Sequence, residues 1–198
     1  MIIIKTISIP LIPCSSTHMK IIELQNIIER ILEVLKIYGE QHSCILASAL
    51  VIETIKRRHQ NVEIFPLAVE VKILDSIQKN QLENNLPLTG DQRVVGYRKS
   101  KSTKDLWAGH LIVLVKNIEN RNLLIDLTIH QIGQVATDIE ISPLVFPVPL
   151  EFCKYKTNAG SVNNGNYLIY KPYPDDKSYK ESSIWNDTTY INQLIEKI

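Results

Sequence analysis

The sequence predicts an α+β fold. Two apolar stripes at helical spacing open the chain, an apolar two-stranded hairpin follows residue 109, and the 198 residues are 44% apolar, enough for one buried core and short for two. One domain over residues 1–198 is the default. The 22 Lys and Arg offset 21 Asp and Glu to leave a charge of +1, so no overall field draws the chain to nucleic acid or to an anionic membrane. No apolar stretch approaches the ~20 residues of a membrane-spanning helix. Three cysteines, Cys14, Cys44 and Cys153, are too scattered for a disulfide framework and leave at least one free thiol, which favours a reducing, cytoplasmic setting.

Taken in order, residues 1–13 are apolar but interrupted by Lys5, Pro10 and Pro13, and read as a strand and its exit in preference to a signal peptide. From an N-cap at Ser16 or Thr17, Ile21, Leu24, Ile28, Ile31, Leu35 and Tyr38 recur in steps of three and four on one helical stripe, which Gly39 ends. Ser43 then caps a second helix running to about His59. Its first two turns, Cys44 to Ile52, carry no charge on any face, so it must be buried. Lys56, Arg57, Arg58 and His59 suit its negative end.

Val69, Val71 and Ile73 alternate with Glu70 and Lys72 in a strand over 62–73. A polar loop over 74–106 holds a short helix at 76–83 and a basic run at Arg93, Arg98, Lys99, Lys101 and Lys104, read as a solvated loop before a cleft mouth for acidic substrates. Strands at 109–116 and 122–129 form an antiparallel hairpin around 117–121. Pro143, Pro147 and Pro149 mark irregular chain, 167–171 reads as a further strand, and Asp187 caps a last helix over 188–197.

Cys44 stands in the first turn of the buried helix, where unpaired N–H groups and the positive dipole end favour thiolate over thiol and aim donors at a developing oxyanion. By itself a buried small hydrophobe is the commoner meaning of such a cysteine. The hairpin shifts that balance. A lone His110 on one apolar strand and a lone Asp126 on the next each spend a core position on a titratable group, and buried charge requires a partner. Facing residues in an antiparallel pair have numbers with a constant sum. A loop of three or five residues centred on Glu119 or Ile118 makes that sum even and puts His110 and Asp126 on one face. Pairing around Ile118 sets them directly opposite, whereas an even turn without a bulge would separate them. The carboxylate would then hold one imidazole nitrogen and leave the other to move a proton.

The run Trp-Ala-Gly-His-Leu-Ile-Val-Leu-Val from Trp107, with Leu-Ile-Asp-Leu-Thr ending at Thr128, resembles the His and Asp segments of the transglutaminase-like superfamily of papain-fold proteins. There a Gly-His opens one strand and an Asp-x-Thr lies on the next, and the order Cys, His, Asp is the same. The match covers 43–58 and 107–131. It implies a papain-like, transglutaminase-like α+β fold in which a central buried helix carrying Cys44 packs against an antiparallel sheet carrying His110 and Asp126. By that resemblance Cys44 is the nucleophile, His110 the general base and acid, and Asp126 the orienting carboxylate. Gln41, whose amide can donate, is a candidate oxyanion partner, and Trp107 and Gly109 are candidates for walling the acyl site.

The remaining histidines are not part of this constellation. His130 reads as a surface or loop residue, His18, His42 and His59 as exposed polar residues near helix ends, and Cys14 with His18 has no second ligand pair for zinc. No metal, cofactor or nucleotide is implied. The expected function is thiol-dependent acyl transfer through an acyl-enzyme, by a cysteine peptidase or amidohydrolase acting on a peptide, protein or small amide. Its alternatives are an amine acyltransferase of the transglutaminase kind and a non-catalytic peptide- or protein-binding module on the same scaffold. The oligomeric state is not legible.

Overall fold

A computed structural model describes residues 19–40, 43–90, 93–96, 107, 109–130, 141–149, 152, 159–163 and 166–198. The expected strand over 1–13, Cys14, His18, Gln41, His42, Cys153 and the basic run beyond Arg93 lie outside them. Helix α1 (Ile21–Ile37) buries Leu24, Ile27, Ile28, Ile31, Val34 and Leu35. It begins later than a cap at Thr17 implies. Lys20 is the N-cap without a side-chain bond, and the Ile21 N–H is met by Glu119 Oε1 at 3.2 Å, so a residue distant in sequence does the capping. Gly39 closes the helix at φ +72, with Gly39 N–H donating to Lys36 O and Glu40 N–H to Leu35 O. Those two bonds satisfy the last carbonyls and need a left-handed residue, which glycine supplies without strain.

Helix α2 (Cys44–Arg58) starts as the sequence indicates: the Ser43 hydroxyl accepts from Leu46 N–H, and every residue from Ile45 to Ile52 is buried. Strand β1 (Ile64–Leu74) is followed by α3 (Ser76–Glu83), which Asp75 and Gln78 open with a reciprocal capping box. Strand β2 (Arg93–Gly96) lies within the expected loop. Then come β3 (His110–Ile118), β4 (Arg121–Asp126), β5 (Leu144–Val148), β6 (Ala159–Asn163) and β7 (Asn166–Tyr173). The chain ends in a 3-10 turn (Ser178–Glu181), α4 (Ser183–Asn186) and α5 (Thr188–Ile195), the last capped by Asp187 as expected. Pro147 does not exclude a strand, because β5 is a sheet edge, where a missing N–H costs no ladder bond. Among the described residues no helix is long and apolar enough to cross a membrane.

The strands form one antiparallel sheet in the order β5-β4-β3-β1-β7-β6. Strand β1 is long enough to take two neighbours on one edge, β3 along its first half and β2 along its second. On one face, Val113, Val115, Leu123 and Ile125 pack against α1, α2 and α5. On the other, Leu67, Val69, Ile112, Leu114, Leu124, Phe146, Leu168 and Tyr170 form a second core. That face is closed by the sheet itself. Phe146 of the edge strand β5 meets Tyr170 of β7 with ring centroids 5.1 Å apart, although three strands separate β5 from β7 in the sheet order. The sheet therefore curls until its inner faces touch, as strand twist permits.

The hairpin register depends on one extra residue. The turn has two residues, Glu119 and Asn120, both at positive φ, which suits the twist of the flanking strands. Next to it Ile118 pairs with Arg121, an odd sum, but beyond it Val115, Leu114 and Val113 pair with Leu123, Leu124 and Ile125, an even sum. Lys116 and Asn117 together oppose Asn122, a bulge in which Asn117 sits at φ +59 and gives its N–H to Asn122 Oδ1. The ladder thus runs around Glu119 and not around Ile118, so His110 and Asp126 are diagonal neighbours on one face. The directly opposite arrangement is corrected by one step.

Candidate active site

His110 is the first residue of β3 and Asp126 the last of β4, and both are buried. They share the inner face with Ile112, Leu114 and Leu124. Nε2 of His110 lies 2.8 Å from Oδ2 of Asp126. A carboxylate only accepts, so Nε2 carries a proton toward Asp126 and Nδ1 is the nitrogen that Asp126 does not engage. Asp126 accepts two further bonds, from the Tyr170 hydroxyl to Oδ2 at 3.0 Å and from the Thr128 N–H to Oδ1 at 3.2 Å. The Asp-x-Thr spacing has a local reason: the carboxylate folds back on the amide two residues ahead.

Cys44 opens the helix beside β3, close enough to His110 to raise the imidazole's pKa. Ser48, one turn further along α2, donates to the carbonyl of Leu111 at 3.1 Å and so pins the thiol's helix to the residue beside His110. Burial is the largest single influence on His110 and pulls its pKa down. The charge of Asp126, its hydrogen bond and, to a lesser extent, the nearby Cys44 oppose this and together prevail, raising His110 from 6.5 to about 10. The imidazolium is therefore the favoured form between the two acidic partners.

The proposed wall residues divide. Gln41 lies outside the described residues. Trp107 packs, with Cys44, Ile184 and Trp185, against a small cluster of Ile45, Leu111 and Tyr179. Its indole N–H donates to Ser178 Oγ at 2.8 Å, and that hydroxyl donates to Asp176 Oδ1 at 2.6 Å. Tyr179 stands edge-on to both Trp107 and Trp185. Gly109 is required by this packing, since a Cβ there would lie 2.1 Å from the Trp107 ring. Among the remaining histidines, His130 is half-buried beyond β4. His59 is also half-buried, with Nε2 3.1 Å from Glu23 Oε1, and so is not the exposed residue expected.

Compared with protein-family models, curated proteins and solved structures, the chain matches none. Its site must be read from its own geometry.

Four residues at the site escape the sequence reading: Tyr170, Gly96, Tyr179 and Trp185. Tyr170 had a faint signal as an aromatic at an inward position of the strand over 167–171. Gly96 lies at φ +98, and a Cβ there would meet Val69 O at 2.4 Å and His110 Cβ at 2.8 Å, so β2 ends in a glycine that lets His110 lie flush. Tyr179 and Trp185 are aromatic anchors in an otherwise polar stretch, a pattern that marks packing without saying against what. Among the described residues, no three His, Cys, Asp or Glu side chains gather as a metal site would require.

Proposed function

We propose that this chain is a thiol-dependent acyl-transfer enzyme of the transglutaminase-like, papain-fold kind, working as a cysteine hydrolase on an amide or peptide. The observation that carries the reading is His110, buried and bonded through Nε2 to Asp126, with Cys44 at the head of a buried helix close enough to raise its pKa. This combination supplies a nucleophile, a proton carrier and an orienter in series. The order Cys, His, Asp along the chain supports the same assignment.

In the reaction, the Cys44 thiolate attacks the carbonyl carbon. The negative charge moves to the carbonyl oxygen, near the first-turn N–H groups of α2, which suit an oxyanion. Protonated His110 gives its Nδ1 proton to the leaving amine as the C–N bond breaks, and a thioester on Cys44 remains. Water then attacks the thioester, losing a proton to Nδ1, and the thiolate departs with the imidazolium restored beside it. Asp126 keeps the ring in place and stabilises its positive charge throughout. An amine in place of water would give transamidation.

The test is differential alkylation of the native protein by iodoacetamide at about pH 6, where an ordinary thiol is almost fully protonated. Cys44 is expected to label ahead of Cys14 and Cys153, and His110→Ala, checked for folding, is expected to abolish that preference. Equal labelling of the three thiols would instead indicate a binding module.

A further inference from the structure

Tyr170 takes no part in the acyl-transfer steps, yet its hydroxyl ends on the carboxylate oxygen that holds His110. Its ring is fully buried and rests on Phe146, and β7 reaches Asp126 only because the sheet curls over. A buried tyrosine needs a partner for its hydroxyl, and that alone would be a structural role. The choice of atom goes further. Oδ2 receives both the imidazole N–H and the phenol O–H, while among the described residues Oδ1 receives the backbone N–H of Thr128. We infer that Tyr170 is a positioning residue of the Cys44 site, its hydroxyl fixing Oδ2 of Asp126 on the axis of the His110 Nε2–H bond. The inference rests on the acyl-transfer reading of that site.

The surroundings give the bond its leverage. Among the described residues, the titratable groups acting on this ring of contacts are Cys44 of α2, His110 of β3, Asp126 of β4 and Tyr170 of β7 itself. The neighbouring strands contribute Val69 and Val71 of β1, Gly96 of β2 and Phe146 of β5, none of which ionises. Burial and the adjacent Asp126 charge hold Tyr170 well above its ordinary value, so the phenol stays protonated and donating. Among the described residues the buried carboxylate accepts from His110, Thr128 and Tyr170, and Tyr170 is the donor that shares Oδ2 with the imidazole.

Removing the hydroxyl makes the His110–Asp126 pair take up a further proton more readily. A neutralised carboxylate no longer offsets the burial of the imidazolium. His110 then passes its proton to the Cys44 sulfur, so the net proton taken up leaves an unreactive thiol. Tyr170→Phe keeps the ring and its contact with Phe146 while deleting only the donor. The rate of Cys44 alkylation by iodoacetamide, followed from acid to neutral pH, is expected to show its acid limb moved up by about one pH unit in this variant, making it roughly tenfold slower at a pH within the limb. Little change is expected at neutral pH. A reactive wild type whose profile is unmoved in folded Tyr170→Phe overturns the role of Tyr170 alone, whereas a wild-type Cys44 no faster than an ordinary thiol overturns both readings. Should the variant fail to fold, the wild-type Tyr170 hydroxyl proton is followed by NMR. A protected resonance that shifts with the same midpoint as the alkylation limb supports the inference, and one that is unprotected or does not shift overturns it.

Discussion

The raised His110 ties the site to stability, and replacing Asp126 by Asn exposes the link. In the unfolded chain the imidazole titrates at its ordinary 6.5, and in the folded protein it holds its proton up to about 10. At His110 itself the folded state therefore binds one more proton across that interval. Its contribution is fully present below 6.5 and is lost as pH climbs through the folded value. At ~1.4 kcal/mol per pH unit, the interval between 6.5 and about 10 is worth about 5 kcal/mol. In Asp126→Asn the largest influences opposing burial are gone and only Cys44 still raises the imidazole, so the folded-state pKa of His110 falls. The stability that follows its proton shrinks, and the variant's stability falls less than the wild type's as pH rises from 6.5. The assay is urea unfolding of both proteins at a series of pH values between about 6 and about 9.5, read as the difference between their two slopes so that surface groups cancel. Wild type and variant falling in parallel over that range would refute the coupling of His110 to Asp126.

Two further perturbations bear on how the site is held. Gly96→Ala forces a side chain at φ +98 against Val69 O and His110 Cβ, and is expected to cost about 1–3 kcal/mol in thermal unfolding and to slow Cys44 alkylation in the fraction that folds. Deleting Asn117 removes the bulge residue while leaving Val115 opposite Leu123 and Ile118 opposite Arg121. The deletion is expected to keep Cys44 reactivity, whereas Asn117→Val, which retains the residue but resists φ +59, is expected to lose about 1–2 kcal/mol in urea unfolding. A folded deletion protein without reactivity would contradict the register argument.

Much of the site was legible because it rests on periodicity. An uncharged run after Ser43 requires a buried helix starting at Cys44, and alternation on two apolar strands restricts His110 and Asp126 to two choices, same face or opposite faces. The exact register was not legible, because it depends on Asn117, Glu119 and Asn120 all adopting positive φ, and only the sum of those local preferences sets the pairing. Strands β2 and β6 escaped for another reason. They are short segments whose own residues argue weakly for a strand, and the long β1 and the apolar β7 supply the ladder that makes them one. Pro147 was read as punctuation because a sequence does not reveal which strand lies at an edge. Tyr170 illustrates the limit most clearly. Its meeting with Asp126 follows from the curl of the whole sheet, which no window of sequence contains.

The contacts that define the site span long stretches of chain: 16 residues from His110 to Asp126, 44 from Asp126 to Tyr170, 63 from Ser48 to Leu111 and 71 from Trp107 to Ser178. Such closures are slow and come late in folding. During synthesis Cys44 emerges long before the strand that carries Tyr170, and in that interval the thiol has neither His110 nor the aromatic cluster beside it. On the proposed acyl-transfer reading, the activated thiol arises only with the finished tertiary structure.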